Sequence, residues 1–369
     1  MKRIQHGFLM AAFFIIASSV SYAQKKRAAN PHAPGEDIYK HYTGTIGTRK
    51  VTLDLRYGYQ GASNYGGSTY YYPNQEGTTL FYIYEPETFD HNVTLTAGEQ
   101  EESHKLMADA RELNRNRSAF PKWKFTITGN KLTGKWYSPD GIVIYDINLT
   151  EDYSRSYPMD VIYFRDTSSE TTLIAVKPSA NTNSSDADFI TSAELNFING
   201  RSIGVNNWPD YFTGGYAKKL AGVNDMFPVY NDNGFLVLMK SQYTNKFPVD
   251  DFSFLCLDVL NKRILTLNDI LNIDETRLSA LLEKSVRKNY NLDPNKELSA
   301  WFLFDKIPVS EKIMIGNKGI NFYYAIDEVI PAKDYQDKFL DRHTPIKIFL
   351  SYDDLKDMLK DDFKKRVGI

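Results

Sequence analysis

The sequence predicts an α+β protein in two parts: an antiparallel β-barrel or sandwich over residues 38–155, then an α+β domain over 156–369 with an antiparallel sheet and two helices. Three observations carry this. Apolar residues alternate with period two from Tyr42 to about Glu151, the mark of strands with one buried face. Two-residue turn signals, Gly129-Asn130 and Asp140-Gly141, separate those runs. Beyond residue 156, strand-like runs and helix-like stripes fall in separate blocks rather than in regular βαβ alternation.

Ahead of the first part stands an export signal. Lys2 and Arg3 are followed by the apolar, uncharged run Phe8–Val20, and Ser21 and Ala23 then supply small residues for cleavage. About 13 apolar residues fall short of the ~20 that a membrane-spanning helix needs. Residues 1–23 are therefore expected to be a signal peptide cleaved near Ala23, with the product periplasmic or secreted and without a membrane span. Residues 24–37, basic and then Pro-containing, are expected to form a flexible linker.

In the first part, Val51, Leu53 and Leu55 alternate with Thr52 and Asp54, and Trp123, Phe125 and Ile127 with Lys124 and Thr126. After the Gly129-Asn130 turn, Leu132, Gly134 and Trp136 share a face. After Asp140-Gly141, Val143, Tyr145, Ile147 and Leu149 continue the alternation. Successive hairpins of this kind close most naturally into a small barrel or sandwich. The charged, Ala- and Leu-containing stretch of about 99–117 interrupts the pattern and predicts an inserted surface helix, with Glu101 four residues before Lys105.

Between Asp166 and Asp188 the Ser-, Thr- and Asn-rich composition, including Ser179–Ser185, reads as a loop or linker. Phe235–Gln242 and Phe252–Val259 read as strands, Asn261-Lys262 as a turn, and Ile264–Leu267 as a short return strand. Leu278, Leu281, Leu282, Ser285 and Val286 mark one face of a helix. Gly316–Gly319 turns a hairpin, and Ile346–Leu350 is a last strand. Ser351, with Asp354 three residues on, caps a closing helix that buries Leu355, Met358, Leu359 and Phe363.

The order of motifs over residues ~225–362 resembles the extracytoplasmic C-terminal domain family of the lysozyme-sensing anti-sigma factor RsiV, also appended to some peptidoglycan deacetylases. The matching pieces are Phe254–Asp258 with Arg263–Leu271, then Ile320–Tyr324 with Glu328–Ala332, and Ile348–Leu355. Tyr243–Phe247 stands where that family carries a Gly-Gly-Ala-His-like stretch, so a ligand contact made there by relatives does not transfer. Tyr42–Gly47 and Leu132–Gly141 look like an exported bacterial β-domain, and this implies a Gram-negative, Bacteroidota-like envelope.

The chemistry-bearing residues are sparse. Lys and Arg number 44 against 46 Asp and Glu, giving a net charge of −2, so there is no basic field for nucleic acid. The single cysteine, Cys256, excludes an intrachain disulfide and reads as a small buried hydrophobe. His32, His41, His91, His104 and His343 show no metal-ligand spacing, and neither a Gly-x-Ser-x-Gly elbow nor a phosphate-cradling loop occurs. Asp250-Asp251 and Asp353-Asp354 lack histidine partners, and Asn231–Gly234 reads as a turn rather than a calcium loop. No catalytic residue, metal or cofactor is expected. Two carboxylates from a set such as Glu85, Asp250 and Glu328 would suffice for a cell-wall glycan hydrolase, which stands as an alternative.

Aromatic residues, 14% of the chain, are the positive signal. Tyr70-Tyr71-Tyr72 suits sheet packing. Trp208-Pro209-Asp210-Tyr211-Phe212, beside Gly214-Gly215, reads as a loop whose Trp208, Tyr211 and Phe212 would form a binding surface. The expected function is thus an exported, non-catalytic envelope protein that binds or senses a protein or a cell-wall glycan; a structural or assembly role is the other alternative.

Overall fold

The computed structural model describes residues 38–57, 68–73, 79–86, 93–99, 121–166, 171–200, 204–217, 220, 222–244, 247–290, 292–329 and 346–369. The expected signal peptide, the linker, and the inserted helix beyond Glu99 lie outside the described residues.

The first eight strands close into an antiparallel barrel: β1 (Ile38–Ile46), β2 (Arg49–Tyr57), β3 (Ser68–Tyr71), β4 (Thr79–Pro86), β5 (Val93–Glu99), β6 (Lys122–Thr128), β7 (Lys131–Tyr137) and β8 (Ile144–Glu151). Of the two closures that the alternation allows, the chain takes the barrel, with β1 pairing β8 from Tyr42↔Glu151 to Ile46↔Ile147. Its interior is filled by Tyr42, Ile46, Val51, Leu53, Leu55, Tyr70, Trp123, Phe125, Ile127, Leu132, Ile147 and Leu149. Lys122, Lys124, Lys131, Lys135 and Thr150 stand outside in water. Apolar inside and polar outside is the reverse of a barrel that faces lipid along its length.

Glycine permits close strand approach at the closing β1–β8 seam and between β6 and β7. A Cβ on Gly44 would lie 2.1 Å from the Asn148 carbonyl oxygen, and one on Gly134 would lie 2.2 Å from that of Lys124. Both obstacles are backbone, so neither can swing aside. Gly44→Ala should destabilise the protein by about 1–3 kcal/mol, read as a lower urea midpoint with unchanged slope, because the extra methyl overpacks the β1–β8 seam.

The second part is a six-stranded sheet in the order β14-β13-β12-β11-β10-β9, formed by β9 (Met159–Asp166), β10 (Thr171–Pro178), β11 (Val223–Asp232), β12 (Phe235–Thr244), β13 (Phe247–Asp258) and β14 (Arg263–Leu265). Only β10 and β11 run parallel; the other pairs are antiparallel, so the fold is mixed α+β and mostly antiparallel. The β11–β12 turn has φ of 55° at Asn233 and 75° at Gly234. Two successive positive φ values make the hairpin turn that matches strand twist, and they explain why Asn-Gly stands there.

The crossover from β10 to β11 holds the main departure from expectation. The loop or linker expected over Asp166–Asp188 instead contains the strand β10 (Thr171–Pro178), and its Ser179–Ser185 part ends at Asn183, where α1 (Ser184–Asn199) follows, capped by the Asn183 side chain accepting from Ser185 N at 2.9 Å. Its buried apolar residues, Ile190, Ala193, Leu195 and Ile198, pack on one face of the sheet. After it comes α2 (Trp208–Thr213).

Beyond β14 run α3 (Leu267–Ile270), α4 (Glu275–Asn289), β15 (Ile313–Ile315), β16 (Gly319–Tyr324), α5 (Ile326–Val329), β17 (Ile346–Ser351), α6 (Tyr352–Leu355) and α7 (Asp361–Val367). The three-stranded sheet β15-β16-β17 and α4 cover the sheet face opposite α1, sharing a core with Phe227, Val229, Phe235, Val237 and Cys256. Burial pushes the Cys256 thiol up to about 12 and leaves it a packing group. The closing helix is two short helices: Ser351 and Asp354 form the capping box of α6, and α7 restarts at Asp361. The expected stripe Leu355, Met358, Leu359 and Phe363 is buried across both pieces.

Candidate functional site

Trp208, Tyr211 and Phe212 sit on α2, not in a loop. Asn207 caps it by accepting from Asp210 N at 2.8 Å, and Pro209 suits the first turn. The helix turns Trp208 and Tyr211 into the core, so their rings do not present the surface expected of them; Phe212 is half-buried. Phe212 stacks on Phe164 at 5.2 Å and on Trp208 at 5.8 Å, and Tyr211 OH accepts from Asn199 Nδ2 at 3.2 Å. These contacts fasten α2 to α1 and to β9. Beneath them lies Glu194 of α1, fully buried, with neither carboxyl oxygen hydrogen-bonded. Burial holds its carboxyl well above the usual range; the Trp208 indole N–H opposes this shift but does not reach it within hydrogen-bond geometry.

The outward residues of β1–β3 are polar, as their alternation dictates, yet β11 covers them. Asp54 Oδ1 faces His41 Nδ1 at 2.8 Å and accepts from Tyr39 OH at 2.5 Å; Tyr39 OH in turn accepts from Asn231 Nδ2 at 2.9 Å. Arg56 Nη1 meets both Asp225 oxygens at 2.8 and 2.9 Å, and Tyr71 OH donates to Asp232 at 2.6 Å. A histidine oriented by an aspartate is half of a proton-transfer arrangement, but His41 and Asp54 are both almost wholly buried. Their position and partners make them a brace between barrel and sheet. Sequence reasoning placed none of these residues at a junction between barrel and sheet.

Of the acidic groups offered as a hydrolase pair, Glu328 is committed to local structure. Glu328 accepts from Ala325 N at 2.9 Å and pairs with Lys312 at 2.8 Å. The side chains of Glu85 and Asp250 lie outside the described residues. A cleft of about 590 Å³ between β13, β14 and α7 is lined by Asp258, Arg263, Asp269, Asp362 and Arg366. Across it Arg263 pairs with Asp362 at 3.1 Å and Arg366 with Asp258 at 3.3 Å, so the cleft fastens α7 to the sheet.

The exposed chemistry lies at one end of the barrel. The β7–β8 hairpin outruns β1: the last ladder pair is Ile46↔Ile147, Gly47 N in the β1–β2 turn still donates to Asp146 O at 2.8 Å, and Ile144 and Tyr145 pair with β7. Beyond that level β1 has ended and only Gly47 of its turn lies against the Tyr145 ring, so Val143 and Tyr145, expected to continue the buried face, emerge partly into water. Ile142, Val143, Ile144 and Tyr145 are 79, 40, 51 and 46% exposed. The turn beneath them is closely braced. Ser138 N donates to Val143 O at 2.9 Å, Val143 N to Ser138 Oγ at 2.9 Å, and Ile142 N to Asp140 Oδ1 at 3.0 Å. The Ser138 hydroxyl and the Ile142 N–H hold the Asp140 carboxyl below its usual range. Gly141, at φ 72°, supplies the conformation that closes the turn. Trp136 stacks on Tyr145 at 5.5 Å, below the apex.

No family model matches the chain, and no curated protein matches it. Among solved structures, a member of the DUF3298 family from Bacteroides fragilis aligns with 59% of this chain and 98% of its own, at 18% identity and a TM-score of 0.46. A DUF3298 family protein from Pseudomonas aeruginosa aligns with 56% of this chain and 96% of its own, at 10% identity and a TM-score of 0.38. Likeness at these levels assigns no residue a role here. Among the described residues, no helix is long and apolar enough to cross a membrane.

Proposed function

We propose that the chain is an exported, non-catalytic protein of the bacterial envelope that acts by binding another envelope component through the β7–β8 rim of its barrel. The observation that carries this reading is a turn whose polar groups are spent on internal hydrogen bonds while its apolar side chains are held in water. A contiguous exposed apolar patch on an ordered turn marks an interaction site. The N-terminal export pattern supports the compartment, and the motif resemblance to the sensing domains of RsiV-type proteins supports recognition over catalysis.

The test is capture from an envelope extract with the wild-type chain and with Ile142→Ser/Val143→Ser, scoring proteins, glycan fragments and lipids together. The wild type should retain a component that the variant loses by tenfold or more. Identical captured sets, or none, would sink the reading. The variant changes exposed positions only, so its thermal midpoint should match the wild type.

A further inference from the structure

We infer that the β7–β8 rim docks on an anionic lipid bilayer surface, an inference that rests on the rim being the binding site. The cross-strand register carries it. Lys122, Tyr137 and Ile144 form one outward row across β6, β7 and β8; Lys124, Lys135 and Asp146 form the next outward row, two residues farther from the apex. Between them, Trp123, Trp136 and Tyr145 form the row facing the barrel mouth. At about 3.4 Å per residue, the second outward row stands roughly 7 Å behind the first.

Measured from the apex inward, the rim is therefore layered. Ile142, Val143 and Ile144 come first, the aromatic rings of Trp136, Tyr137 and Tyr145 next, and lysines at and behind the aromatic level. A bilayer presents its layers in the complementary order: acyl chains, then the headgroup boundary that Trp and Tyr favour, then phosphates within reach of lysine. Arg49 and Lys50, exposed in the neighbouring β1–β2 turn, add to the same end of the barrel, where Arg49 also lies over the Tyr72 ring at 3.6 Å. Against these five cations stand, among the described residues, Asp146, paired with Lys135, the exposed Asp140, which accepts from Ile142 N, and Glu99, which ends β5 beside Lys122. The chain as a whole carries −2, so this cationic end is a local concentration of charge, not the general character of the surface. A protein partner would need a matching acidic groove; a bilayer needs only depth-ordered groups on a projecting, rigid tip.

The experiment uses the chain purified after export, its N-terminus established by mass spectrometry, and vesicles of phosphatidylglycerol with phosphatidylethanolamine or of phosphatidylcholine alone. Sedimentation with anionic vesicles should exceed that with phosphatidylcholine by at least tenfold and fall as salt is raised. Ile142→Ser/Val143→Ser and Lys122→Glu/Lys124→Glu should each lower binding to anionic vesicles by tenfold or more, with thermal midpoints unchanged. Equal binding to both lipids, or full binding by both variants, overturns the inference. A rim-dependent protein or glycan captured from extract, with no vesicle binding, overturns it while leaving the binding function standing; loss of both would remove the two together.

Discussion

Arg56→Ala should destabilise the protein by about 3–5 kcal/mol, measured by urea denaturation at neutral pH. Arg56 ends the outward face of β2, and Asp225 lies on β11, 169 residues later in the chain. Their side chains are 5 and 10% exposed, and one guanidinium nitrogen contacts both carboxylate oxygens. The Phe227 ring lies 5.3 Å from the guanidinium carbon. Removing the cation leaves a carboxylate enclosed without its charge partner, and that desolvation dominates the cost. The pair itself is worth much less than its disruption. Arg56→Met with Asp225→Leu should therefore recover most of the loss, because both desolvation costs vanish with the charges. Since the pair spans barrel and sheet, the single variant should also broaden the transition as the two parts unfold less cooperatively. A loss below about 1 kcal/mol in Arg56→Ala would show that the junction does not depend on this contact.

The barrel was legible because its walls are regular. Trp123, Phe125 and Ile127 alternate with Lys124 and Thr126, and that period alone fixes which side of β6 faces inward. What alternation could not reveal was where a neighbouring strand stops. Val143 and Tyr145 have the spacing of Ile147 and Leu149, yet only the latter pair lies under β1. The candidate rim therefore looked like more core. The junction was hidden for a related reason: Thr52, Asp54 and Arg56 are polar as an outward row should be, and nothing local records that β11 covers them. Trp208–Phe212 misled in the opposite sense, because a short helix capped by Asn207 turns a dense aromatic segment inward. In α1 the start is rich in Ser and Asn, and Glu194 stands in the apolar stripe, so the helical period was masked by the residue that is chemically least at home there.

That residue gives the second large effect: Glu194→Gln should be more stable than wild type at neutral and alkaline pH, with the difference disappearing in acid. In the unfolded chain the Glu194 carboxyl ionises near its ordinary value of 4.5; in the fold, burial keeps it protonated well above that. The unfolded state thus binds fewer protons than the native state once the pH passes about 4.5. Stability contributed by the neutral carboxyl is complete below that pH and is lost as pH rises toward the folded pKa, by up to about 1.4 kcal/mol per pH unit. Glutamine keeps the shape, can accept from the Trp208 indole and never ionises, so the variant should lack this slope. Urea midpoints for both proteins at about pH 4.5, 6 and 7.5 measure it, with Trp208 emission following the packing of α2 on α1. Parallel stability profiles would mean that the carboxyl finds a compensating partner when it ionises. A divergence that opens above about pH 4.5 and widens as pH rises, with the wild type the weaker, would establish an uncharged acid in the core beneath α2.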